Sequence, residues 1–404
     1  MRDQHHKSQL KKNLLSFGVL VLASIILVAP QRPALGADGQ AEKPIVLKTM
    51  GSLFFGGTVN QLENGETFHG DHGYAQYYIP QNSRNYPIVM WHGIGQSGRS
   101  FESTPDGREG YQAILTRNDW PVYIMDQARR GRAGRTMAPA AQNNIPTTMQ
   151  ESGVWDAFRM GTWLPPEKAE FYPNTQSART GYTIDQFMRQ QTGDTGELPR
   201  TRAHSDLMAT NAKKLFEQTG PGILLTHSYS GQFGWYTGMA APELIKAIVA
   251  YEPGQHVLPE GEEVEEIISP LQVINEQLKP QRVPLEEFKK LTRMPIILIY
   301  GDNIRTAPGK TFNEEVWRVA LEHAKQFVDA INRHGGDATL LHLPSIGIKG
   351  NTHAAFADLN NREIAGLLEK WLAEKNLDGR DKPHQGPKRP ELPISIPLKD
   401  SDAK

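Results

Sequence analysis

Ser228 stands where a serine hydroxyl could be made into a nucleophile. It lies in Thr226-His227-Ser228-Tyr229-Ser230-Gly231, directly after the apolar run Ile223-Leu224-Leu225. A strand that turns sharply into a helix, with a serine at the tip, is the nucleophile elbow usually written G-x-S-x-G. The turn is tight, so the residues two before and two after the serine must be small. Here they are Thr226 and Ser230, and threonine is the bulkier departure. Taken alone, the hexamer reads as readily as an ordinary turn rich in hydroxyls.

A serine hydroxyl needs an imidazole to take its proton and a carboxylate to fix the tautomer of that imidazole. At such an elbow the partners follow in the order serine, acid, histidine. Gly350-Asn351-Thr352-His353 comes after the last strand-like run and before the last helical one, so His353 can reach back to the elbow. His323 and His334 fit solvated roles on or beside a helix, and His227 should point away from the nucleophile. Two carboxylates compete for the third role. Glu252 ends the strand that follows the elbow helix, just before Pro253-Gly254. Asp302 follows Gly301, but a G-x-x-D pattern would put the acid where Ile304 stands, so Glu252 is the stronger candidate and Asp302 the alternative.

An oxyanion requires two backbone N–H groups aimed at the developing charge. Tyr229, next to the serine, supplies one. The other is expected from His92-Gly93-Ile94-Gly95-Gln96, with Ile94 as the donor and Gly93, Gly95 and Gln96 lining the substrate path. Glycines let that backbone pass close to a substrate. Arg129, Arg130, Arg132 and Arg135 could bind an anionic ester, but such arginines more often pair with carboxylates. Asp106-Gly107-Arg108-Glu109 reads as a turn and a helix start. No histidine or carboxylate spacing suggests a metal, and no cofactor is expected.

The positioning elements are short apolar runs alternating with amphipathic ones. Ile88-Val89-Met90-Trp91, Pro121 to Asp126, residues 222–227, Ile245 to Tyr251, Ile296 to Tyr300 and Thr339 to Leu343 read as strands. Residues 45–59 and 74–80 read as two antiparallel edge strands. Trp317, Ala320, Leu321, Ala324, Phe327, Val328 and Ile331 keep helical spacing until Gly335, and Ile364 to Leu372 marks the final helix. This alternation predicts an α/β fold with a mostly parallel sheet covered on both faces. Two long insertions, about 136–200 and 255–292, leave the C-terminal ends of strands and read as lids, the second with a helix over Glu260 to Glu266.

Composition narrows the class. The chain is 38% hydrophobic and 22% charged, which suits a globular protein, and its net charge of −1 implies no nucleic-acid partner. Cysteine is absent, which removes disulfides, thiol catalysis and thiolate metal sites. Lys7, Lys11 and Lys12, the apolar run Leu14 to Ala29 and the small residues of Ala34-Leu35-Gly36-Ala37 have the order of a secretory signal over 1–36. An uncleaved anchor would be the remaining contact with a membrane. Residues 37–44 read as a linker, 45–376 as the catalytic domain, and 377–404 as a mobile tail with little to bury.

Together these segments resemble the α/β hydrolases, and within them the Alcaligenes-type secreted bacterial esterases. The resemblance runs from about residue 45 to 375. It rests on His92 to Gly98, Thr104 to Gly110, Asp126-Gln127, Glu252-Pro253, and Gly350-Asn351-Thr352-His353 with Asp358-Leu359-Asn360-Asn361. It implies an α/β-hydrolase fold, a triad of Ser228, His353 and Glu252, carboxylic ester hydrolysis through an acyl-enzyme, and a homodimer. The type member bridges two adjacent cysteines in the oxyanion loop. Here the loop reads Ile94-Gly95, so it must be held another way. The expectation is an exported serine ester hydrolase acting on a small-molecule ester. An amidase or peptidase on the same triad, or an exported binding protein without catalysis, are the alternatives.

Overall fold

A computed structural model describes residues 43–134, 136, 149–196, 198–392 and 395–396. The segment read as a signal peptide lies outside the described residues, as does Arg135. Among the described residues no helix is long and apolar enough to cross a membrane.

Eight strands form the central sheet: β1 (Leu47–Gln61), β2 (Thr67–Pro80), β3 (Ile88–Trp91), β4 (Val122–Asp126), β5 (Gly222–His227), β6 (Ile245–Tyr251), β7 (Pro295–Tyr300) and β8 (Asp337–His342). Their order across the sheet is β1-β2-β4-β3-β5-β6-β7-β8. β2 pairs antiparallel with β1 and with β4, and the remaining pairs are parallel. The fold is the expected mostly parallel α/β sheet. β3, β4 and β5 are buried along their whole length, as strands covered on both faces must be. β1, at the edge, instead alternates between half-buried and exposed positions.

Helices cover both faces: α1 (Tyr111–Arg117), α2 (Glu151–Ala157), α3 (Gly181–Arg189), α4 (Arg202–Thr219), α5 (Ser230–Ala240), α6 (Gln272–Gln277), α7 (Leu285–Phe288), α8 (Phe312–Arg333) and α9 (Asn361–Glu374). One core gathers Met208 and Phe216 of α4, Phe233 and Trp235 of α5 and Phe327 of α8. The opposite core gathers Tyr111 and Leu115 of α1 and Leu368 and Trp371 of α9. Period-2 alternation sends Val89 and Trp91 of β3 to the first core, and Ile88 and Met90 to the second. α8 starts on a capping box in which Thr311 and Glu314 satisfy each other's backbone N–H groups.

Two regions differ from the expectation. Residues 260–266 are not helical. Their backbone carbonyls and those just beyond are satisfied from neighbouring side chains instead. Arg282 donates to Glu262 O, Gln326 to Glu265 O and Arg318 to Ile268 O. Residues 377–392 do find something to bury. The His384 ring lies against Tyr123 and hydrogen-bonds its hydroxyl, Asn85 pairs with Asp381, and Lys388 N–H donates to Gln218 O.

Candidate active site

Parallel register sets the frame of the site. His227 pairs with Tyr251, and Tyr251 pairs with Ile299, so the residues just past β5, β6 and β7 emerge side by side. Ser228 N–H donates to Tyr251 O, and Glu252 N–H donates to Ile299 O. Asp302 N–H then donates to Asn351 O, which draws in the loop that carries His353.

Ser228 occupies the left-handed region at φ 56°, the strained backbone of an elbow tip. The two departures from glycine are accommodated by different means. Ser230 Oγ accepts the N–H of His227 and lies 3.0 Å from the carbonyls of both Trp91 and His227, so it cross-links the turn. Thr226 is matched by Gly234 one turn into α5, where a Cβ would come 3.0 Å from Thr226 Cγ2. The loss of volume has moved from the elbow to the helix that covers it.

Glu252 also has a left-handed backbone, at φ 45°. Its carboxylate is buried and fully occupied. Oε2 accepts from His353 Nδ1 at 2.5 Å, and Oε1 accepts from Gly301 N–H at 2.6 Å. Arg159 closes the site from the other side, with Nη1 on Oε2 at 2.8 Å and Nη2 on Oε1. Burial pushes the Glu252 carboxyl up, but the Arg159 charge and then the imidazole outweigh it and hold the group at about 2. Asp302, the alternative acid, does not meet the imidazole. Its Oδ2 accepts from Asn174 and from Gly350 N–H, so it fastens the histidine loop.

His353 is enclosed by rings. Trp317 lies 3.9 Å away between centroids, His227 4.5 Å and Phe158 5.1 Å. Its N–H donates to Phe158 O. Burial lowers its pKa and Arg159 adds to that, while Glu252 opposes them. The net position is below the ordinary histidine value.

The loop preceding His353 is fixed by Asp358, which accepts from Thr352 N–H, Thr352 Oγ1 and Asn351 Nδ2. Burial pushes Asp358 up to about 7 against those hydrogen bonds.

Gly93 passes so close to the elbow that a Cβ would sit 2.9 Å from His227 Nδ1 and 3.0 Å from Ser228 Cβ. Gly95 has φ 69°, and its carbonyl accepts from Thr192 N–H. Among the described residues neither Ile94 nor Tyr229 N–H has a protein acceptor. Without a disulfide, the loop is held by Asp126, which takes Gly98 N–H at 2.6 Å and the Arg132 backbone and guanidinium.

Three histidines lie elsewhere than expected. His227, expected to point away from the nucleophile, has its ring against His353. Its Nε2 is 2.9 Å from His353 O, and the Gln96 amide is 3.1 Å from its Nδ1. Burial and the neighbouring His353 hold its pKa well down. A neutral ring has one N–H, which His353 O takes. Nδ1 is then an acceptor, so the Gln96 amide must present its nitrogen to it. Gln96 therefore anchors His227 from a buried position. His323 is buried, not solvated, and His334 is half-buried against Glu262. Arg129 pairs with Asp71, Arg130 with Asp194 and Arg132 with Asp126, the structural reading of that cluster. Arg159 and Phe158 were not singled out from sequence, and Trp317 was read only as part of the apolar stripe of α8. Nothing in the local pattern marks a role at the site, because it arises only when the first insertion folds back onto the end of β6 and onto α8.

These elements define an α/β-hydrolase: the eight-stranded order, the strained serine between β5 and α5, and the histidine loop after β8. In sequence the chain is similar to an esterase and to a lipase. It is 28% identical to a structure described as a novel bacterial esterase, with a TM-score of 0.64, over 85% of this chain and 99% of that one. A probable secreted lipase, phiG, from Fungal sp. (strain ATCC 74256) is 26% identical over 338 residues, 75% of this chain and 86% of the fungal protein. No protein-family model matches the chain.

Proposed function

We propose that the protein is an exported serine hydrolase of carboxylic esters. The carrying observation is the buried hydrogen bond from His353 Nδ1 to Glu252, together with a serine held at a left-handed elbow whose N–H donates to Tyr251 O, next in the chain to Glu252. That bond commits Nδ1 as a donor and leaves Nε2 to act as base. Ser228 Oγ attacks the ester carbonyl as Nε2 takes its proton. The N–H groups of Ile94 and Tyr229 hold the oxyanion. Collapse expels the alcohol, which receives the proton from His353. Water then gives up a proton to His353, cleaves the acyl-enzyme and releases the acid with Ser228 restored. The order of segments at the N-terminus and the secreted character named for the fungal relative support export.

A fluorophosphonate probe with mass mapping of the labelled peptide tests the nucleophile. Label on Ser228, lost in His353→Ala, is expected. Ser228→Ala should lower turnover by at least about a thousandfold. Folded protein that takes no label would instead point to a binding protein that keeps the fold without the chemistry.

A further inference from the structure

Glu252 accepts four hydrogen bonds, and two of them come from Arg159. Both side chains are buried, at 3% and 1% exposure, so water does not screen the pair. Arg159 is itself fixed. Its backbone is left-handed at φ 53°, its Nε donates to Asp302 O at 2.8 Å, and its guanidinium lies 5.5 Å from the Trp317 ring that packs on His353. Two consecutive residues of the first insertion thus touch the acid–base pair, and the one before them holds the Trp317 ring that packs on His353. Ala157 O accepts from Trp317 Nε1, Phe158 O accepts from His353 N–H, and Arg159 grips the carboxylate.

We infer that Arg159 is a positioning residue that sets the pH range of the site by sharing the Glu252 carboxylate with His353. This rests on the Ser228–His353–Glu252 reading. A carboxylate already paired with a guanidinium has less charge to offer an imidazolium. His353 is then harder to protonate and stays a competent base in more acidic solution. The other groups around the pair are accounted for. His227 meets the same ring and is held neutral, Asp302 is turned toward Asn174 and Gly350, and Asp358 is turned toward Thr352 and Asn351. His342, on β8, has a depressed pKa from burial, against the pull of Glu252. Tyr300, on β7, stays protonated, its hydroxyl donating to Pro253 O. None of these matches Arg159, which carries a fixed charge on the carboxylate itself.

The test is the pH profile of kcat/KM with 4-nitrophenyl acetate for wild type, Arg159→Gln, Arg159→Lys and Glu252→Gln. Arg159→Gln should move the acid-limb midpoint upward by about half a pH unit or more. It should also lower kcat about tenfold, with KM little changed. Arg159→Lys restores the charge without the fork, so the midpoint should return toward wild type while kcat recovers only in part. A folded Arg159→Gln protein with the wild-type midpoint would overturn the inference, because a packing role alone does not move a titration. If Arg159→Gln does not fold, by circular dichroism, Arg159→Lys decides. A lower kcat at constant KM supports the inference, and an unchanged kcat overturns it. Wild-type turnover in Glu252→Gln would instead sink the underlying triad, a result separable from failure at Arg159.

Discussion

The two insertions leave the sheet alike but enter opposite cores. The first packs Val154, Trp155, Phe158 and Phe187 beside α1 and α9. The second packs Val257, Leu258, Val283 and Phe288 beside α4, α5 and α8. The first is stitched to the acid, the histidine and the oxyanion loop: Phe158 to His353, Arg159 to Glu252, Asn174 to Asp302, and Thr192 to Gly95. Among the described residues of the second, no hydrogen bond reaches Ser228, Glu252 or His353. Its polar ties run to flanking helices, as from Arg318, Gln326 and Arg333 of α8. Length and point of departure do not make an insertion a lid. The face it packs on decides whether it can touch the chemistry.

The sharpest way to break this contrast is a matched pair of truncations. Phe158→Ala and Phe288→Ala each empty a buried ring site and should cost about 3–5 kcal/mol of stability. At a temperature where both variants are folded, only Phe158→Ala should also lower kcat. Equal turnover in the two variants would show that the contrast is architectural and nothing more.

A smaller effect separates stability from chemistry in the second insertion. His256 is buried beside Trp235 and Phe327, with neither ring nitrogen hydrogen-bonded, and near His323. Burial holds His323 at about 4 and His256 well below its ordinary value. Both are depressed relative to the unfolded chain, whose histidines titrate near 6.5. Their contribution to stability is present above that value and is lost as pH falls toward 4. His256→Leu should therefore raise Tm at pH 5 by several degrees, with little change at pH 8 and wild-type turnover there. An unchanged Tm difference between the two pH values would mean that the imidazole is not what makes this face acid-labile. The smallest effect is expected at the rim. Glu262→Ala removes partly exposed pairs with Arg333 and His334 and should change stability by less than about 1 kcal/mol in a melt, with no effect on kcat.

Much of the frame was legible because strand-tip positions follow from pattern. Short apolar runs gave the parallel strands, and parallel strands bring their C-terminal ends together. That places residues 228, 252 and 353 near one another before any side chain is considered. The misreadings share another cause. His323 borders the apolar stripe of α8, and whether a border residue is wet depends on what packs there, here the second insertion. The acidic stretch 260–266 offered no apolar period, and its carbonyls are met by arginine and glutamine side chains far away in sequence. Arg159 escaped notice for the same reason: a single arginine among polar loops gains meaning only from a buried carboxylate 93 positions later.

The exchange of bulk between Thr226 and Gly234 has a consequence for which substitutions the turn admits. The elbow constrains the combined size of two residues eight positions apart, one on β5 and one on α5. Glycine at 226 would leave room for alanine at 234, whereas alanine at 234 beside Thr226 would bring two methyl carbons to 3.0 Å and force one of them to give way. What this turn fixes is the pair, and a pattern that asks for glycine at each position singly describes only one of its solutions.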